Sequence, residues 1–91
     1  MYVVVCYDIS DDRRRARLGR ILECEGARLQ ESVYEVQVSE KAWRALRRRL
    51  ESLVKRETDK LLWYPLCSRC LRARGGKGGL AGVVERLYYV L

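Results

Sequence analysis

The chain begins with a nearly unbroken apolar run, YVVVCY at residues 2–7, rich in β-branched and aromatic side chains. Such a run predicts a central strand buried on both faces rather than one with a wet side. Asp8 ends the run, and Ser10, Asp11 and Asp12 follow as N-cap chemistry for a helix. Leu18, Ile21 and Leu22 then recur at the spacing of one helix face, with Arg13, Arg14, Arg17 and Arg20 on the other. Gly26 is placed to close that helix as a C′ residue. Residues 28–38, RLQESVYEVQV, switch to alternation: Tyr34, Val36 and Val38 share one face, and Val33, Glu35 and Gln37 the other. The segment is long for a single strand, so a bend or break near Ser32 is expected.

Ser39 and Glu40 open a second helix, whose stripe of Trp43, Leu46, Leu50, Leu53 and Val54 is a core-facing set. Arg44, Arg47, Arg48 and Lys55 turn outward from it. KLLWYPL at residues 60–66 reads as another strand, with Pro65 placing it at an edge or exit. CSRCLRARGGKGG follows as a flexible basic stretch, and VVERLYYVL at residues 83–91 is a terminal strand.

The order β-α-β-β-α-β describes an α+β protein, a ferredoxin-like sandwich, with an extra C-terminal strand. The chain of 91 residues holds one domain: a core over residues 1–70, a flexible glycine-rich basic link over 71–82 and the last strand over 83–91. A hinge before a hydrophobic terminal strand suggests that this strand adds to a neighbouring subunit's sheet edge, which makes a homodimer the economical arrangement.

Charge narrows the field. Lysine and arginine number 19 against 12 acids, a net charge of +7, and arginine outnumbers lysine 15 to 4. Guanidinium forks match phosphate geometry, so this bias favours nucleic acid as partner. It also suits the ion-paired surface of a heat-adapted protein, as does the absence of Asn and the presence of only two Gln. No basic leader precedes the first strand and no apolar run is long enough to span a membrane, so a cytoplasmic location is expected.

Histidine is absent, which removes Ser-His and Cys-His nucleophile pairs and imidazole metal ligation. Acid–base work would fall to carboxylates or to a metal-bound water. Asp8 sits where the first strand meets a helix N-terminus, and with Ser10, Asp11 and Asp12 it could hold Mg²⁺ through one or two carboxylates and several waters. Asp11 and Asp12 could equally do no more than cap the helix. A two-fold axis beside the strand ends would bring two copies of Asp8 together. Cys67 and Cys70 form half of a zinc knuckle; a disulfide, a zinc site shared across a dimer, or two inert thiols all fit. Cys6 and Cys24 are expected to be core thiols. GGKGG lacks the context of a phosphate loop and reads as a hinge.

YVVVCYDISDDRRRARL, then GARLQESVYEVQV, then YPLCSRC occur in an order and at distances that resemble the small CRISPR-associated Cas-two family of the spacer-acquisition machinery. The resemblance implies a ferredoxin-like homodimer whose final strand crosses to the partner, and a metal-dependent endonuclease acting on single-stranded RNA or duplex DNA. It also implies a bridge between dimers of the Cas-one integrase. It assigns Asp8 as the catalytic residue, sharing Mg²⁺ across the dimer axis. Arg15, Arg17 and Arg28 become nucleic-acid contacts, with Arg13 beside them and Ser32 and Tyr34 in support. Tyr34 stands where the family more commonly has phenylalanine. The competing expectation is a non-catalytic module in which Asp8 is structural and the basic faces track duplex DNA. A generic regulatory or RNA-binding domain ranks last, because no exposed aromatic platform for base stacking is evident.

Overall fold

The computed structural model describes residues 1–67. The elements are β1 (Tyr2–Asp8), α1 (Asp12–Glu25), β2 (Gly26–Gln30), β3 (Val33–Gln37), α2 (Glu40–Glu51) and β4 (Lys60–Leu66). They form one antiparallel sheet in the order β2-β3-β1-β4. This is the ferredoxin-like sandwich expected from the element order. The extra terminal strand, the basic link and Cys70 lie outside the described residues, as does the arrangement of two copies.

β1 is interior because its residues have something to bury on each side. Val3, Val5 and Tyr7 enter the larger core with Leu18 and Leu22 of α1 and Trp43, Leu46 and Leu50 of α2. Val4 and Cys6 point the other way and form a second cluster with Val33, flanked by Leu29, Tyr64 and Leu66. Burial pushes the Cys6 thiol up to about 11, so it stays protonated at neutral pH. Each large aliphatic side chain so buried contributes about 1.5–3 kcal/mol.

Both helices start as the sequence dictates. The Asp11 carboxylate accepts the Arg14 N–H at 2.9 Å, and the Ser39 hydroxyl accepts the Ala42 N–H at 3.1 Å. The long alternating segment does break, at the Glu31–Ser32 turn, with an irregularity in register between Arg28 and Gln30. β2 begins earlier than expected, at Gly26. That glycine is not a left-handed C′ residue: its backbone is extended (φ −161°, ψ −162°) and it passes straight from helix to strand. A Cβ there would overlap the Glu35 carbonyl oxygen and lie 2.7 Å from Val36 Cγ1. Close approach to β3, not a positive φ, demands glycine.

Three side chains depart from the expected outward or inward placement. Cys24 is exposed rather than in the core, because it lies two residues beyond Leu22 and thus on the far side of α1. Arg47 does not simply face water; its guanidinium lies 4.4 Å from the Trp63 ring centroid and its Nε donates to Glu51 at 2.8 Å. Arg14 turns inward, for a reason that governs the site. β4 has β1 as its neighbour, and Pro65 stands opposite Val3, a tolerable place for a residue lacking an N–H. No helix among the described residues is long and apolar enough to cross a membrane.

Candidate nucleic-acid interface

The tip of β1 is organised by a residue that no sequence motif singled out. Asp59, just before β4, is buried, with no exposed side-chain surface. One of its carboxylate oxygens accepts the backbone N–H and the hydroxyl of Ser10, each at 3.1 Å, and the Thr58 hydroxyl at 3.1 Å. The other accepts the Lys55 N–H at 2.8 Å and the Arg14 guanidinium. Arg14 also donates to the Leu53 carbonyl at 3.0 Å. With these donors, Arg14 foremost, the Asp59 carboxyl is held far below the usual carboxylate range. The stretch KRETDK reads as a solvated charge run. The only local signal was an acid lying immediately before a strand.

This clasp settles the roles of the neighbours. Ser10 gives both its backbone N–H and its hydroxyl to Asp59. Asp11 caps α1 and lies 3.8 Å from the Arg14 Nε. Asp12 pairs with Arg15, whose other terminal nitrogen donates to the Ile9 carbonyl at 3.0 Å. All three acids grouped at the start of the chain are exposed, and Asp8 stands at the end of β1, opposite Lys60 of β4. No group of three His, Cys, Asp or Glu among the described residues could hold a metal ion. The described residues of one chain thus offer Asp8 as half a site, which fits Mg²⁺ with waters and a second copy of the carboxylate.

Arg15, Arg28, Ser32 and Tyr34 do come together. With Tyr7 and Arg20 they line a groove of about 360 Å³ between α1 and the β2–β3 turn. Asp12, Glu23 and Glu31 share the same groove, so its charge is mixed. Tyr34 is no stacking platform. It is 2% exposed, stacks on Tyr7 at 6.2 Å between centroids, and its hydroxyl donates to Glu23 at 3.3 Å. Burial raises both phenols above their ordinary value. The Ser32 carbonyl accepts the Tyr7 N–H at 3.1 Å, which fixes the turn against β1. Arg28 is exposed, its Nε 3.4 Å from the Gln30 carbonyl. Arg13 and Arg17 are exposed on α1 and enter no salt bridge among the described residues. Cys67 is exposed just past β4.

Helices on one side of a four-stranded antiparallel sheet, with a carboxylate at the central strand's tip beside a basic helix, define a class of small ferredoxin-like proteins. Within that class the chain belongs to the CRISPR associated protein Cas2 family, whose profile matches residues 1–74. It is 42% identical over 67 residues to a CRISPR-associated endoribonuclease Cas2 of Rhodospirillum rubrum, covering 74% of this chain and 54% of the relative, so it spans about half that protein's length. It is 45% identical over 64 residues to a CRISPR-associated endoribonuclease Cas2 of Thermus thermophilus, covering 70% and 68% of the two chains. A chain of the solved partial Cas6-RT-Cas1–Cas2 complex superimposes with a TM-score of 0.71 at 25% identity, covering 86% of this chain and 91% of that one.

Proposed function

We propose that this chain is a CRISPR adaptation protein: a Mg²⁺-dependent endonuclease that hydrolyses phosphodiester bonds of single-stranded RNA or duplex DNA. It works in the cytoplasm as a homodimer and assembles with the Cas1 integrase. The observation that carries the catalytic reading is the place of Asp8, exposed at the end of the central strand, while the equally exposed Ser10, Asp11 and Asp12 hydrogen-bond or pair with Asp59, Arg14 and Arg15. Support comes from the endoribonuclease relatives and from the likeness to a chain solved with Cas1. When bound between two copies of Asp8, the metal would lower the pKa of a coordinated water and polarise a phosphate oxygen. The chain's own part is to present the carboxylate on a rigid strand end and to offset phosphate charge with Arg13 and Arg17 from the adjoining helix. The Asp59 clasp keeps strand end and helix start in fixed relation.

A scaffold without catalysis is the second reading. It is favoured by the shortage of donors, since no three-ligand cluster exists among the described residues. Cleavage of labelled single-stranded RNA and duplex DNA by the unmutated protein and Asp8→Ala separates the two. The catalytic reading expects Mg²⁺-dependent cleavage that EDTA abolishes and the substitution lowers by about a hundredfold or more. Absence of cleavage with nucleic-acid binding intact in both proteins would leave the scaffold standing.

A further inference from the structure

Two arginines from different helices line one groove that has no acid among its described lining residues. Arg17 of α1 and Arg49 in the last turn of α2 line, with Ile21, Ser52 and Leu53, a shallow groove of about 260 Å³. Three guanidinium groups of the helical layer are neutralised locally, Arg14 by Asp59, Arg15 by Asp12 and Arg47 by Glu51, while others, Arg13 and Arg44 among them, enter no salt bridge among the described residues; what sets Arg17 and Arg49 apart is that they line one groove. Arg17 and Arg49 are exposed and enter no salt bridge among the described residues. The negative end of the α2 dipole accounts for a cation at Arg49. It does not account for a second cation from the middle of α1 in the same groove.

The floor is firm. Ile21 and Leu53 pack against the main core, and the Ser52 hydroxyl donates to the Arg49 carbonyl at 2.6 Å, tying down the end of α2. Like charges lining one groove repel, and an anion between them relieves the repulsion. We propose that the Arg17–Arg49 groove is a binding site for one phosphodiester group of a nucleic-acid backbone, gripped by one guanidinium from each helix. The inference rests on the nucleic-acid reading above and deepens it by adding α2 to the contact surface. A backbone contact carries no base information, so RNA and DNA strands are both ligands.

The test measures binding by fluorescence anisotropy over a salt series, with a short duplex DNA in one arm and single-stranded RNA of equal length in the other. Arg17→Gln and Arg49→Gln are each expected to weaken binding by roughly tenfold, the loss of one charge-assisted hydrogen-bonded contact. Each should make the log–log salt slope shallower by about 0.9 on duplex DNA and about 0.7 on single strands. The double variant should be little weaker than either single one, because both side chains hold the same phosphate. Arg49→Lys should keep the slope and lose part of the affinity. Arg44→Gln, exposed on α2 outside the groove, serves as control and should change affinity less than about twofold. The groove is ruled out if Arg49→Gln behaves like Arg44→Gln, or if the two losses simply multiply in the double variant. Failure of the unmutated protein to bind either strand overturns both this site and the nucleic-acid reading. Binding weakened as expected, in a protein that cleaves nothing, supports the groove and overturns only the nuclease.

Discussion

Asp59 shows how much a single carboxylate can organise. It gathers donors from the β1–α1 turn (Ser10), from α1 (Arg14) and from the α2–β4 connection (Lys55 and Thr58). Its folded pKa lies below the ordinary carboxylate value of about 4. The stability this confers is therefore fully present above pH about 4 and is lost as the pH falls toward the folded pKa. Asp59→Asn keeps the shape and removes the charge. We expect it to melt at a clearly lower temperature than the unmutated protein at pH 7, with the gap closing as both are melted in steps below pH 4. A gap that stays constant down to pH 2 would show that charge is not what the clasp contributes.

At the level of elements, the junction between α1 and β2 leaves no room for a side chain at Gly26. Gly26→Ala would drive a methyl group into the β3 backbone at Glu35, and strands can yield there only by parting. The expected cost is about 1–3 kcal/mol or more, read from urea unfolding. Leu46→Ala, in the α2 stripe, should cost about 2–5 kcal/mol by the same measurement. The caps at Asp11 and Ser39, the stripe of α2 and the break at Ser32 were legible in the sequence because each depends on residues within a few positions. Arg14 was misjudged because its partner lies 45 residues away and looks, in sequence, like part of a solvated run. A separation of 49 residues likewise hid the hydrogen bonds from Ser10 to Asp59. Tyr34 could be placed on the correct face by alternation, but only packing against Tyr7 shows that its ring is spent inside the fold.

For the whole molecule, the net charge of +7 already subtracts the acids that pair with Arg14, Arg15 and Arg47, so the surplus is carried by other basic side chains. With about three phosphate contacts per subunit, from Arg13, from Arg28 and from the Arg17–Arg49 groove, log K for duplex DNA should fall with log salt at a slope of roughly −3 per subunit engaged. An affinity indifferent to salt would dismiss the nucleic-acid reading. If a second subunit receives the terminal segment, removal of residues 83–91 should convert dimer to monomer or aggregate by light scattering; an intact dimer would refute that exchange. The Arg14–Asp59 pair carries one more consequence, for portability. Because the first helix and the approach to the last described strand share a buried charge pair, the sandwich has no seam between its two β-α-β halves. A chimera that takes residues 1–30 from a relative will inherit the fold only if the donor's residue at position 14 can still meet the carboxylate at position 59. Position 59 is therefore the first to match when parts are exchanged.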